Sequence, residues 1–344
     1  MSGEKVLVTG ATGFIASHTV LALLERGYDV RGTARSASSA DKLNATLSEF
    51  AGKPVKIDIF PVDLNRDDGW DAAVADCTYV HHIASPIPSS LPRDADELIV
   101  PAREGALRAL RASKAAGVKR IVMTSSVAAI AYGWGDARPE VLDESDWSNP
   151  DNHKDNTAYM RSKTIAERAA WDYIEGEGAG LELTTVNPSA VLGPAMSGDF
   201  SASLEIILQL MGGGLPAAPR LGFQIVDVRD VADLHVKAME HPEAAGERFI
   251  AADDFLWFSD LADLLRARYP DYSKRIPKGE LPSALVRIFA MFNPVLKQIL
   301  PELNKRRYAS SQKARDMLQW KPIAATDAAY ASADSLIAHG VIKA

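Results

Sequence analysis

Cysteine is almost absent: Cys77 is the only one in 344 residues. No intramolecular disulfide can form, and a zinc cage built from cysteines is excluded. Basic residues are the minority, 38 Lys and Arg against 45 Asp and Glu, for a formal charge of −7. A broad nucleic-acid surface needs the opposite balance, although a local basic pocket for a small phosphate is compatible with it. Long apolar runs are missing as well. Residues 284–300 come nearest, and Arg287, Asn293, Pro294 and Lys297 interrupt them, which argues against a membrane-spanning helix. The first residues lack a basic segment followed by an apolar one, so no secretory signal is expected and a soluble cytoplasmic protein is.

What is present is a globular composition, 47% hydrophobic and 24% charged, long enough for about two domains or one α/β domain with insertions. Strand-like runs at 5–9, 29–34, 55–62, 77–84, 120–124 and 181–187 alternate with helical patterns at 13–26, 37–50, 67–75, 95–116 and 157–176. That alternation predicts βαβ units: a Rossmann-type, doubly wound parallel α/β sheet covered on both faces, with right-handed crossovers. Beyond residue 190 the pattern loosens. Residues 224–228, 230–240 and 247–251 read as a return to the same sheet, and helical segments at 259–269, 281–300 and 311–318 as a smaller lobe. The expected division is a dinucleotide-binding domain at 1–190 with 221–252, and a mostly helical substrate lobe at 191–220 and 253–344.

Residues 9–17, TGATGFIAS, follow the first strand and open the first helix. In that setting Gly10-x-x-Gly13-x-x-Ala16 is a dinucleotide loop. Gly10 permits the tight turn, Gly13 lets the backbone approach a pyrophosphate, and Ala16 lets helix and strand pack closely. The helix N-terminus then faces the phosphates. An NAD site usually ends its second strand in an acid that binds the ribose 2′-hydroxyl. Here that strand ends in Arg35-Ser36, and Lys42 follows in the next helix. A guanidinium there suits the 2′-phosphate of NADP(H).

Tyr159 and Lys163 stand at i and i+4 on one helix face. An ammonium beside a phenol is expected to lower its pKa, so that it exchanges a proton with a carbonyl or alcohol oxygen. Thr124-Ser125-Ser126 closes a strand at the sheet edge where open α/β folds bind ligands, and a serine there would orient that oxygen. His81 and His82 are neighbours on a strand and point to opposite faces, so no metal site is expected. Lys305-Arg306-Arg307 reads as a solvated charge run.

Together with Asp63-Leu64, His82-Ile83-Ala84-Ser85-Pro86, Asn187-Pro188-Ser189, Gly193-Pro194 and the run 226–232, these motifs resemble the extended short-chain dehydrogenases/reductases. The resemblance is to the branch of dihydroflavonol reductases, cinnamoyl-CoA reductases and methylglyoxal-type carbonyl reductases. It implies that Ser126 orients substrate, that Tyr159 is the acid, and that Lys163 binds the ribose and tunes the phenol. Gly10, Thr12, Gly13, Phe14 and Ile15 would form the phosphate loop, Arg35 and Lys42 the 2′-phosphate site, and Asp63 and Leu64 the adenine flank. Ile83, Ala84 and Ser85 would line the nicotinamide half, Pro188, Ser189, Ala190 and Val191 would cover its carboxamide, and Ser203 would touch the cofactor. Ala131 stands where plant dihydroflavonol reductases usually carry an asparagine, so the anchor for a flavonoid hydroxyl is missing, although Gln224 matches a pocket glutamine of those enzymes. Ile87, Val127, Ala131, Met160 and Leu192 are expected to make a largely apolar wall.

The resulting expectation is an NADPH-dependent reductase of aldehydes or ketones, a monomer or homodimer with a small-molecule carbonyl partner, no nucleic acid and no membrane. Competing readings are a hydroxysteroid dehydrogenase, a nucleotide-sugar epimerase-like enzyme, and a non-catalytic NADP-sensing regulator. Arg35 disfavours the epimerase, which commonly uses NAD, and the retained Tyr159–Lys163 pair disfavours the regulator.

Overall fold

The computed structural model describes residues 3–86, 94–198, 204–292, 297 and 299–343. The first strands are short and, apart from β3 at the sheet edge, mostly buried: β1 (Lys5–Val8), β2 (Asp29–Ala34), β3 (Asp58–Pro61), β4 (Tyr79–His82), β5 (Arg120–Thr124) and β6 (Glu182–Pro188). Helices join them in the expected alternation: α1 (Phe14–Glu25), α2 (Ser39–Ala51), α3 (Trp70–Val74), α4 (Asp96–Ala115) and α5 (Ala158–Glu175). After β7 (Ala190–Leu192), α6 (Glu205–Met211), β8 (Ala218–Pro219), β9 (Gly222–Asp227) and α7 (Val228–Glu240) comes β10 (Arg248–Ala251). The main sheet has seven strands in the order β10-β6-β5-β4-β1-β2-β3, every pair parallel. The strand order reverses between β1 and β4, and the carboxyl ends on either side of that point form a crevice.

Alternation along the strands divides the core into two layers. Val6 and Val8 of β1, with Val122 and Val186, pack under α1 and α7, while Leu7, Val80, Ile121 and Leu183 pack under α3, α4 and α5. Burial on both faces explains why the strands read as continuous apolar runs.

One strand expectation is corrected. Residues 224–228 do not rejoin the main sheet. β9 pairs with β7 in parallel and with β11 (Phe255–Trp257) in antiparallel, forming a separate three-stranded sheet. The place beside β6 is taken by β10. Partner choice of this kind is set by long-range packing, which period-2 patterning does not encode. The second lobe adds α8 (Phe258–Arg268), β12 (Glu280–Leu281), α9 (Ser283–Ala290) and two further helices, Gln312–Leu318 and Ala325–Ala338. Its core includes Leu192, Leu210, Leu261, Leu265 and Leu336. The helix Ala325–Ala338 pins the turn that leaves β7: the Ser332 hydroxyl accepts from Gly193 N at 2.7 Å, and Ser335 Oγ accepts from Ala195 N at 2.9 Å. No helix among the described residues is long and apolar enough to cross a membrane.

Candidate active site

The loop between β1 and α1 is shaped for an anion. Gly10 sits at φ +63°, and a Cβ on it would lie 2.9 Å from Ala84 Cβ, so only glycine fits. Its N–H donates to Thr33 Oγ1 at 3.1 Å, and Gly13 N closes the turn onto Gly10 O at 2.8 Å. Gly13 is the N-cap of α1. Among the described residues no side chain caps that end, and its first turn carries no acid. The leading N–H groups are therefore available to a diphosphate. Thr12 is exposed at the loop tip, and Phe14 and Ile15 are half-buried.

Thr9, which sequence reasoning passed over, ties this loop to the next strand end. Its hydroxyl accepts the N–H groups of Ile83 and Ala84, each at 3.0 Å, and lies 3.1 Å from His82 Nδ1. With two donors already on that oxygen, its own proton goes to Nδ1, which leaves the imidazole neutral. Burial, reinforced by the charge of Lys163, lowers the His82 pKa to about 4. The His81 ring faces the other side of the sheet, where it meets His235 and Met239. Arg35 is exposed just past β2, Lys42 is exposed on α2, and Asp63 and Leu64 are half-buried past β3. Asp63 Oδ1 accepts from Asn65 N at 2.9 Å, and Leu64 lies under Gly105, where α4 comes close.

The carboxyl ends of β5 and β6 bring Ser126 to α5. Ser126 Oγ accepts from Ala128 N at 3.1 Å and lies 3.4 Å from Pro188 O. Tyr159 is 43% exposed, and Ser126 stands close enough to its phenol to favour the ionised form. Lys163 Nζ is 5.9 Å from the centre of the Tyr159 ring. The phenol pKa is raised by desolvation, and Ser126 alone pulls it down. This corrects the expectation that Lys163 depresses it. The ammonium is itself weakened by burial, its pKa lowered to about 8 against the opposing pull of Glu167. A raised phenol stays protonated at neutral pH, which suits a proton donor.

Glu167 is the organising residue that the motif search missed. It is fully buried and lies one turn beyond Lys163 on the same face of α5. Its carboxylate accepts from Ser125 Oγ, from Asn187 Nδ2 at 2.8 Å, from Thr185 Oγ1 at 3.1 Å and from Arg248 Nε at 2.7 Å. Asn187 Nδ2 also reaches Ser126 O at 3.2 Å. One side chain thus clamps the helix that carries Tyr159 and Lys163 onto the strand ends that carry Ser126 and Pro188.

Two small cavities flank this group. One is lined by His82, Ala84, Ser85, Met123, Ser125 and Lys163, among others. The other has a volume of ≈ 30 Å³ and includes Val127, Ala131, Ser189, Ala190 and Gln224 in its wall. Of the residues expected to form an apolar wall, Val127 and Ala131 line this second cavity. Tyr132, Glu302 and Arg307 join them, while Met160 packs inward against Ala128 and Ile130, and Leu192 and Val191 are buried in hydrophobic cores. Ile87 and Ser203 lie outside the described residues. The solvated reading of residues 305–307 is corrected for Lys305 and Arg307, while Arg306 is exposed. Arg307 is buried, bonded to Asp155 Oδ1 at 2.6 Å, to Glu302 Oε2 at 3.2 Å and to Ala131 O at 2.6 Å, and Lys305 pairs with Asp155. A buried guanidinium needs such partners, and Asp155 and Ala131 come from distant sequence.

Comparison with known proteins agrees with this geometry. The family model described as "NAD dependent epimerase/dehydratase family" matches residues 6–252. Cinnamoyl-CoA reductase 1 of Petunia hybrida is 35% identical over 301 residues, 87% of each chain. Dihydroflavonol 4-reductase of Hordeum vulgare is 36% identical over 281 residues, covering 79% of this chain and 77% of that protein. The crystal structure of yeast methylglyoxal/isovaleraldehyde reductase Gre2 complexed with NADPH superposes with a TM-score of 0.77 at 27% identity, covering 98% of this chain and 99% of that one. The chain belongs to the NAD-dependent epimerase/dehydratase family, the extended short-chain dehydrogenases/reductases.

Proposed function

We propose that the protein reduces aldehydes or ketones to alcohols at the expense of NADPH. The observation that carries this reading is the convergence of the Tyr159 phenol, the Ser126 hydroxyl and Lys163 beside a glycine-built anion cradle. When bound, NADPH supplies a hydride. The chain does the rest. Gly10, Gly13 and the open N-terminus of α1 receive the diphosphate, and the exposed guanidinium of Arg35 receives the 2′-phosphate. The second interaction favours NADPH over NADH. Ser126 donates a hydrogen bond to the substrate oxygen, and Tyr159 delivers its proton to that oxygen as negative charge develops there. Lys163 contributes positive charge near the same point and binds ribose hydroxyls. The carbonyl-reducing relatives, one of them complexed with NADPH, support the assignment.

The test follows the loss of reduced-nicotinamide absorbance with a panel of aryl ketones, aliphatic aldehydes and α-keto esters. Oxidation of NADPH by some of them is expected. Failure with every carbonyl, or a wild type that prefers NADH, would overturn the reading.

A further inference from the structure

The exposed apolar surface of the protein is concentrated in one place. Among the described residues nine large hydrophobic side chains are exposed, and five of them, Leu285, Ile288, Phe289, Met291 and Phe292, fall on α9 and the turn after it. Val286 and Ala290 are the buried residues of that helix. Leu285, Ile288 and Phe289 stand at i, i+3 and i+4 on another face, and exposure rises from 41% at Leu285 to 82% at Phe292. Single apolar residues scattered over a surface need no explanation, but a cluster of this kind marks a docking face.

Charge indicates what docks there. The chain is acidic overall, with a net charge of −7, yet residues 274–307 hold eight Lys and Arg against two Glu. Both acids are engaged: Glu280 pairs with Arg220 at 3.1 Å, and the buried Glu302 pairs with Arg307 at 3.2 Å. Lys274, Arg275, Lys278, Arg287, Lys297 and Arg306 are exposed, and no acid of the segment is left to offset them. A second copy of the chain would bring the same positive segment against itself across a two-fold contact, where like charges repel. A layer of anionic headgroups over an apolar interior satisfies both features at once. The cations pair with headgroup phosphates, while the leucine, isoleucine and phenylalanine side chains enter the acyl boundary.

We propose that α9 and the turn after it dock peripherally on an anionic lipid bilayer. No described helix is long and apolar enough to cross a membrane, and this contact needs none. It departs from the expectation of no membrane partner, which considered a spanning helix only. Ser283 Oγ, at the start of α9, donates to Asn304 Oδ1 at 2.8 Å, and Asn304 lies between Glu302 and Arg307 of the cavity wall. Docking therefore holds the cavity beside Ser126 close to the lipid, where apolar carbonyl compounds concentrate.

The experiment measures co-sedimentation of the full chain with vesicles of phosphatidylcholine alone or with phosphatidylglycerol added, at low and high salt. The wild type is expected to bind the anionic vesicles and to be released from them by salt. Phe289→Ser with Phe292→Ser should weaken that binding by about tenfold or more, and Lys278→Glu with Arg287→Glu by a similar factor. All four side chains are exposed, so thermal melts should show both variants folded as the wild type is. No binding to anionic vesicles, equal binding to neutral ones, or binding unmoved by either pair of substitutions would overturn the proposal. So would a wild type that is dimeric in sedimentation velocity and becomes monomeric in the double serine variant, because a second copy would then cover the face. None of these readouts depends on carbonyl turnover, so the docking surface and the reductase reading stand or fall separately.

Discussion

Replacing Glu167 by glutamine keeps the volume of the side chain and removes its charge. The Arg248 guanidinium, 8% exposed and 2.7 Å from Oε1, then has no counter-ion in this pair. Its Nη1 donates to Glu144 O and Asp146 O, and its plane lies 3.8 Å from the centre of the Trp147 ring, so it cannot move out to water without unmaking those contacts. Breaking a buried pair from one side costs about 3–5 kcal/mol. A further loss arises because the new amide nitrogen cannot accept from both Ser125 and Asn187 as Oε2 does. Against a typical stability of about 5–15 kcal/mol, the variant should still fold at 25 °C, with a clearly lowered urea midpoint. The charge effect is separate from the stability effect. Lys163 titrates near 8 because burial lowers it and Glu167 holds it up. Without the carboxylate it falls further, so the ammonium is lost at lower pH. The alkaline limb of kcat/KM, which reports the free enzyme, should start near 8 in the wild type and move downward in Glu167→Gln. Urea melts and pH–rate profiles measure the two effects independently. A midpoint shift worth less than about 1 kcal/mol would refute the clamp, and an unmoved alkaline limb would refute the coupling of Glu167 to Lys163.

Other outcomes test the remaining parts of the site. Tyr159→Phe should lower kcat by ~10²–10⁴-fold, the usual worth of a positioned acid, while NADPH binding followed by fluorescence titration is retained; a variant keeping most of the wild-type kcat removes the phenol from the acid role. Arg35→Ala should weaken NADPH by roughly tenfold to a hundredfold and leave NADH nearly unchanged in the same titration; equal loss for both cofactors would indicate adenine stacking or folding instead. Gly10→Ala forces an L side chain into φ +63° and against Ala84, at a cost of about 1–2 kcal/mol for the backbone alone. Calorimetry should show a lower Tm and no saturable NADPH binding, and a variant that binds normally would show that the turn is not the cradle.

The sequence by itself determined the elements whose signals are local. TGATGFIAS after a strand marks the loop because a tight turn, a close backbone approach and an uncapped helix start all require small residues at fixed spacing. The i, i+4 relation of Tyr159 and Lys163 follows from helix geometry alone. The alternation of strand and helix established the parallel sheet. Even Glu167 was within reach, since it continues the same helix face by one more turn.

Tertiary structure decided what depends on partners far apart in the chain. The helix Ala325–Ala338 escaped notice because alanine and serine carry little hydrophobic contrast; it shows its purpose only where Ser332 and Ser335 meet the turn after β7. β9 left the main sheet because β10 holds the place beside β6. The phenol of Tyr159 is raised rather than lowered because desolvation outweighs the opposing pull of Ser126. Arg307 belongs to the cavity wall because Asp155 and Glu302 neutralise it there, and neither lies in a motif with it. Burial and long-range charge pairing are properties of the folded whole, and no local pattern of residues carries them.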